Sequence, residues 1–549
     1  MKKIVSLLVA LMMVLSGVAF GAAEPMPQHY ENYPICEPGT LTLNFTSVQT
    51  PVQNEYNSGI WVMNHLEEKT GIHIDWTNVP SDMRSEKLNL MLATLDLPDA
   101  LFKMSVSNTQ QAQYGSEGAF IDLKQYKDIM PNLWYWYEDA EEVGQVAYPT
   151  ARDAMMQADG CMYGTPYLLT GYAIRMGTRL YGNTDVFEKL GIDGLPTTLD
   201  GLYEYLVACK GLDYNGNGIA DEIPLSMQGS SDQGDALDTI LFGSFGLRNV
   251  GSSFSYVDLD PNGEGMRFIR TSDDYKEYIK YTAKLYQEGL IDTDLFTTDF
   301  AGLIAKCQEG RALNYLFVNN SPVAGSEYEQ YTKGMAQPFA GEYNLWTNYS
   351  MPASSSGAFV ITFMNEHPEE SAKWVDYLYS EDGILSYFLG IQGENAEDTE
   401  GTWYYDEETG AYDYTNWILN DPNGTNFEQM LAPYVVWQGG GNPSVATNEC
   451  FKGGETWPCS LESAAGLINY VPEDVWAPFT FASEISSEIS RLHADFSTYY
   501  REWRAQFWAG TKDIDADWDA YVEGFNALGV DEYMGYYTEK AIEMGKIAG

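Results

Sequence analysis

Ten residues from Asp213 to Glu222, Asp-Tyr-Asn-Gly-Asn-Gly-Ile-Ala-Asp-Glu, place oxygen-bearing side chains where a hard cation would want them. Asp213, Asn215, Asn217 and Asp221 fall at positions 1, 3, 5 and 9 of a loop, with Gly218 at position 6 and Ile219 at position 7. That spacing is the first part of an EF-hand-type calcium loop, in which the glycine makes the sharp turn and the position-7 carbonyl points inward. Position 12, usually a bidentate Glu, is Pro224, so Glu222 is the nearest carboxylate able to complete the shell. The reading is one structural Ca2+ held by Asp213, Asn215, Asn217, the Ile219 carbonyl, Asp221 and Glu222. An Asn- and Gly-rich surface turn has the same composition. No second loop pairs with this one, which suits a clip and not a sensor.

Such a loop needs a frame, and the chain supplies an alternating one. Leu41–Phe45, Ile72–Trp76 and Asp99–Lys103 read as strands; 57–69, closed by Gly71, and 83–94 read as helices between them. Strand–helix alternation argues a parallel α/β sheet. Further helices are expected over 187–190, 199–209, 275–288 and 368–378, a strand over 359–362, and helix from Val475 nearly to the end. The chain has 549 residues, more than one hydrophobic core normally takes, so at least two lobes are expected.

Composition removes several functions. The formal charge is −49, which repels nucleic acid and anionic lipid. Six cysteines form no CxxC and only five histidines are present, which argues against zinc. Cys450 and Cys459 flank a Gly-rich turn and could pair, or stay as thiols. Forty Tyr and 14 Trp offer flat apolar faces with polar edges, the complement of a sugar ring, although rings also fill cores. No Gly-x-Ser-x-Gly elbow, zinc pattern or phosphate loop stands out, and no enzyme is expected. Residues 1–23 read as a secretory signal peptide, two lysines before an apolar core and small residues after it. Cleavage is expected after Gly21 or Ala23, with no lipid-anchor cysteine there, and no transmembrane segment is expected beyond it.

Short sequences in a fixed order carry a resemblance. They include Thr70-Gly71-Ile-His, Leu97-Pro98-Asp99, Gly160-Cys-Met-Tyr163-Gly-Thr-Pro166, Leu195-Pro196-Thr197-Thr198-Leu199 and Leu285-Tyr286-Gln-Glu288-Gly289-Leu290-Ile291-Asp292. The C-terminal Asp513-Ile514-Asp515-Ala-Asp517-Trp518 and Leu528-Gly529-Val-Asp531-Glu532-Tyr533 complete the set. Together they resemble the extracellular solute-binding proteins of bacterial ABC carbohydrate importers, in the LplA/LipO-like branch. The resemblance implies a two-lobed α/β clamp of the periplasmic-binding-protein type (type II) with a long helical C-terminal part. The expected division is 24–175 and 316–370 for the first lobe, and 176–315 and 371–549 for the second. It also implies an extracytoplasmic monomer that captures an oligosaccharide between the lobes and hands it to permease subunits, with no nucleic-acid partner. Relatives that bind acidic oligosaccharides carry a calcium loop of this form. Where such proteins often show Asn-Tyr-Gly-Ile-Glu-Gly, this chain has Phe388-Leu-Gly-Ile-Gln392-Gly.

Ligands of open α/β sheets meet loops at the carboxyl ends of strands. Gln53, Asn54, Glu55, Tyr56 and Asn57 follow the first strand here, and Ser105, Ser107 and Asn108 follow the third. Trp61, Tyr167, Trp346, Trp403 and Trp437 are the candidate stacking rings. Gln228, Asp232, Gln392 and Glu394 are the candidate contacts from the second lobe. Arg175, Arg179 and Arg248 are the cations available to a uronic acid. Two other readings share these features: a secreted polysaccharide-binding protein without a transporter, and a peptide-binding protein.

Overall fold

A computed structural model describes residues 26–548 apart from 51–52, 54, 140–151, 153, 172–174, 230–234, 249–255, 261–264, 319–331, 348, 350–352, 408–410, 423–424, 426, 439–440, 448–456, 473–475, 477–478 and 480. The signal peptide, Asn54, Asp232 and Cys450 lie outside the described residues. The chain begins with β1 (Leu41–Gln49), α1 (Trp61–Thr70), β2 (Ile72–Pro80), α2 (Arg84–Thr94), β3 (Ala100–Phe102), α3 (Asn108–Ser116) and β4 (Thr165–Leu169). Next come β5 (Arg179–Asn183), α4 (Leu199–Cys209), β6 (Ser226–Met227), α5 (Asp273–Gln287), β7 (Asn314–Phe317) and β8 (Thr332–Gly334). It continues with β9 (Ala353–Ile361), α6 (Pro368–Tyr377), α7 (Glu381–Phe388), β10 (Trp403–Asp406), β11 (Ala411–Tyr414) and β12 (Val445–Ala446). Three helices close it: α8 (Ser483–Trp508), α9 (Ile514–Leu528) and α10 (Val530–Glu543).

Two sheets organise two lobes. The first has the order β12-β4-β9-β3-β1-β2 and the second β8-β5-β7-β6. β1 pairs in parallel with β2, Leu41 opposite Ile72 through Gln49 opposite Pro80, and with β3. β9 runs antiparallel between β3 and β4. Lying inside the sheet, β1 buries both faces from Phe45 to Val48, as strands covered on both sides do. Gly71, at φ 79°, ends α1 by donating its N–H to the Glu67 carbonyl, which returns the chain at once into β2.

The lobe boundaries differ from the sequence expectation. β7 and β8 both hydrogen-bond to β5 and so belong to the second sheet. β12 pairs with β4, and Trp374 of α6 stacks on Phe359 of β9 at 6.0 Å, so this return segment belongs to the first. Gln392 and Glu394, expected from the second lobe, therefore sit on the first. Strand pairing is a long-range choice that local pattern does not encode.

Many of the abundant rings are core. Trp374 sits 5.2 Å from Phe45 and 5.8 Å from Phe102. Phe496 of α8 meets Phe525 of α9 at 5.6 Å and Tyr533 of α10 at 5.4 Å. Each such pair adds about 0.5–1.5 kcal/mol beyond the area it buries. α8 is also tied to the helix Asp235–Leu241 by a charge network. Arg504 reaches Asp235 at 2.8 Å and Asp238 at 3.5 Å, and Arg270 reaches Asp238 at 2.8 Å. Burial alone would push the Asp235 carboxyl up; the Arg504 and Arg270 guanidiniums outweigh it and hold it below its ordinary value. Cys36, Cys161, Cys209, Cys307 and Cys459 are free thiols. Among the described residues, no helix is long and apolar enough to cross a membrane.

Candidate functional site

At the carboxyl end of β3 the backbone is bent by two left-handed residues, Lys103 at φ 59° and Ser105 at φ 55°. Such conformations cost of order 1–3 kcal/mol each for side chains of this kind and persist where surroundings over-determine them. Here the Lys103 N–H donates to the Ala358 carbonyl of β9 at 2.7 Å, and the Val106 N–H to Gly357 at 3.1 Å. The Lys103 side chain is fully buried. Its Nζ donates to the carbonyls of Val436 and, at 3.1 Å, Gln438. Burial pushes this ammonium down to about 7, and no carboxylate among the described residues pairs with it.

That anchor holds a strap, Val436–Gln438, across the strand ends. Gln53, buried after β1, donates through Nε2 to the Gln438 Oε1 at 3.2 Å, and Gln438 donates to the Glu428 carbonyl at 3.2 Å. Ser105 Oγ accepts from the Gly441 N–H at 3.2 Å and from Arg84 at 3.4 Å. Trp437, half-buried in the strap, has a buried indole N–H with no hydrogen-bond partner among the described residues. Tyr167, half-buried on β4, pairs with Ser355 of β9. Thus Ser105 and Trp437 lie at the carboxyl end of β3, and Tyr167 sits midway along β4, on the far side of β9. Gln53 is one of the expected loop residues, whereas Lys103 and Gln438 lie outside the sequence expectation; a charge closing the apolar run Ala100-Leu-Phe102 is the available clue for Lys103.

Other expected contacts fall elsewhere. Tyr56 is a core residue with 2 % exposure. Its hydroxyl donates to the Val48 carbonyl at 3.1 Å and its ring packs on Trp76 at 5.1 Å. Trp346, at 1 % exposure, is likewise interior. Ser107 caps α3, accepting from the Gln110 N–H at 3.2 Å in a capping box. Glu55 is exposed, and Gln228 is half-buried just after β6. Glu394 is exposed in a turn built around Asp398, to which its N–H donates at 2.9 Å. Arg179 is fully buried and donates to Val318 and to the Tyr181 hydroxyl, so it offers nothing to a uronic acid.

Trp61, Gln392 and Trp403 come together in a second place, a cavity of about 540 Å³ between α1, α7 and the β10–β11 hairpin. Trp61 stacks on His65 one turn along α1, ring centroids 4.7 Å apart. His65 Nε2 donates to Asp382 at 2.8 Å, and the Tyr377 hydroxyl donates to the same carboxylate. Burial pushes Asp382 up, but these two hydrogen bonds outweigh it and leave its carboxyl below its ordinary value. Trp403 is fixed by its indole N–H donating to Gly390 at 3.1 Å.

The loop 213–222 is wound by its own side chains. Asp213 accepts from the Gly218 N–H at 3.1 Å, Asn215 from Asn217 at 3.1 Å, and Asn217 from Ile219 at 2.7 Å. Gly216 and Gly218 hold φ 72° and 80°, open only to glycine at low cost. Glu222 is buried: one carboxylate oxygen accepts from the Tyr214 and Asn215 N–H groups, and the other has no partner among the described residues. Asp221 lies 3.1 Å from Arg311. Among the described residues no group of three or more His, Cys, Asp and Glu side chains is arranged for a metal. The donors the loop carries are amide, carbonyl and carboxylate oxygens, a set suited to Ca2+ and to few other ions.

Comparison with known proteins gives these features a setting. A family model described as bacterial extracellular solute-binding protein matches residues 39–384. The fructooligosaccharide ABC transporter substrate-binding protein FusA of Streptococcus pneumoniae is 27% identical over 510 residues, 90% of this chain and 88% of FusA. The structure of FusA in complex with kestose superimposes with a TM-score of 0.74 at 25% identity, covering 92% of this chain and 99% of FusA. A FusA EF-hand mutant in complex with fructo-nystose gives 0.72 at 24% identity, with the same coverage.

Proposed function

The chain belongs to the bacterial extracellular solute-binding protein family, and we propose that it captures an oligosaccharide in the cleft between its lobes for delivery to an ABC permease. As a member of that family it is a binding protein and not an enzyme. The observation that carries the sugar reading is the buried, unpartnered indole N–H of Trp437 beside polar groups fixed at the strand ends. FusA, the relative similar over most of the chain, supports the class of ligand.

The physics suits a sugar. Its hydroxyls exchange water for protein partners, so each hydrogen bond to Gln53, Ser105 or Gln438 nets only about 0.5–1.5 kcal/mol. Flat contact must supply the rest, and a buried ring such as Trp437 or Tyr167 offers roughly 150–250 Å². Because Lys103 and Gln53 hold the strap beforehand, little ordering remains to be done on binding. We also propose that Asp213, Asn215, Asn217, Ile219, Asp221 and Glu222 hold a structural Ca2+ when one is bound; the unpartnered Glu222 oxygen and the oxygen-only donor set support it. Export by a signal peptide, a monomeric state and a place in the LplA/LipO-like branch belong to the same proposal.

Calorimetry or native mass spectrometry of the mature protein against neutral oligosaccharides, acidic oligosaccharides and peptides tests the reading. Saturable binding of a glycan is expected. Binding of peptides with no glycan bound overturns it.

A further inference from the structure

The cavity between α1, α7 and the β10–β11 hairpin is separate from the strand-end crevice, and its walls are specific enough to name an occupant. We propose that it is a second carbohydrate site, for one uncharged sugar ring of a ligand long enough to reach it. The inference rests on the oligosaccharide reading above and adds to it a subsite and a charge preference.

Size comes first. About 540 Å³ lies within the range of small-ligand pockets, roughly 300–1,000 Å³, and is ample for one or two sugar rings. The walls come second. Trp61 and Tyr405 present aromatic surface, and Tyr405 remains 39 % exposed, which is unusual for a ring that could have packed inward. Tyr412, also in the lining, packs against Tyr405 with ring centroids 5.3 Å apart. Polar groups face the same space: Ser386, the exposed Gln392 and Asp382. Asp382 is already oriented by His65 and Tyr377, so it meets a hydroxyl without reorganising. Aromatic faces with a few oriented acceptors fit a ring that is apolar on its C–H face and hydroxylated at its rim.

Charge decides which ring. The lining carries Glu381 and Asp382 and no Lys or Arg. A uronate or sulfated ring would place its anion beside two carboxylates, and His65, the one basic side chain of the lining, is already bonded to Asp382, in a protein whose formal charge is −49. An uncharged ring meets no such penalty.

Position links the cavity to the crevice. The Trp61 N–H donates to Pro433 at 3.0 Å and the Val62 N–H to Tyr434 at 3.1 Å. The chain runs directly from there into Val436–Gln438, the strap that carries Trp437. The first turn of α1 thus attaches the cavity's wall to the residues just before the strap. A long oligosaccharide can engage Trp437 on one side of this segment and the cavity on the other.

Tyr405→Ala and Gln392→Ala test it, since both side chains are exposed and their truncation spares the core; unchanged melting temperatures verify folding. A ladder of neutral fructans and glucans, from disaccharides upward, is titrated calorimetrically into the wild type and both variants, beside an oligogalacturonate ladder. Expected are wild-type affinity that rises with length for neutral chains, a loss of about fivefold or more for the long neutral chains in each variant, and unchanged affinity for the shortest chain bound. Length-independent wild-type affinity, or a neutral ladder unmoved in both variants, overturns the second site while leaving the sugar-capture reading intact. Long oligogalacturonates that lose affinity as the neutral chains do overturn the charge preference. A wild type that binds no glycan at all overturns both readings.

Discussion

The Lys103 ammonium donates to the Gln438 carbonyl at 3.1 Å across 335 positions of sequence. Strand β3 thereby fixes the strap that presents Trp437, and it does so with a charge that has no exposed surface. Lys103→Met removes the anchor. Weaker oligosaccharide binding is expected with the ring of Trp437 still present, whereas a purely local role would leave affinity unchanged in calorimetry.

The same residue predicts a pH dependence. The Lys103 pKa is about 7 folded against about 10.4 in an unfolded chain. Between those values the unfolded state holds more protons, so this group makes stability rise with pH from about 7 to about 10. Denaturant titrations across that window should show the wild type gaining stability relative to Lys103→Met. A parallel pair of profiles would refute the assignment.

Trp437→Ala should weaken binding of the best oligosaccharide about tenfold, or about 1.4 kcal/mol, with little change in melting temperature. Trp346→Ala is the contrast. Its ring is interior, so truncation should cost about 3–5 kcal/mol of stability by the usual cavity and transfer terms. Thermal melts and calorimetry on the two variants separate a binding ring from a core ring.

Calcium should raise the melting temperature and chelator lower it, because an ion held by the folded loop alone adds its binding free energy to folding. Asp213→Ala should abolish the difference. Melts that are identical with calcium and with chelator would exclude the ion.

Arg504→Met should be severely destabilising, about 3–5 kcal/mol, because it leaves Asp235 and Asp238 with less counter-charge in a buried network. The readout is the denaturant midpoint. A loss within the surface range, under about 1 kcal/mol, would show the network to be solvated.

Local features were legible from sequence and distant ones were not. The helix over 199–209 was readable because Thr198 caps it, accepting from the Gly201 N–H at 3.0 Å, and its apolar residues recur at helical spacing. The helix expected from residue 57 begins at Trp61 instead, since Gly59 turns the chain at φ 94°. Trp61 was singled out and does line a cavity, but Tyr56, beside it in sequence, is core; composition alone does not sort rings by exposure. Ser105 and Trp437 could be named individually. That Gln53, Lys103 and Gln438 bind them into one crevice depends on contacts more than 300 positions apart, which no local pattern reports.

The strand order of the first lobe also sets a schedule. β9 stands between β3 and β4, and β12 at the edge beyond β4. A chain made from its N-terminus can join β1, β2 and β3 early, but β4 has no neighbour in that sheet until residues 353–361 arrive. By then the whole second sheet has been synthesised. The sheet that starts first is therefore the later of the two to be completed, and β3 keeps an open edge throughout the wait. A chain arrested before β9 would expose that edge, so the unfinished protein, more than the finished one, is where assistance from a chaperone would matter.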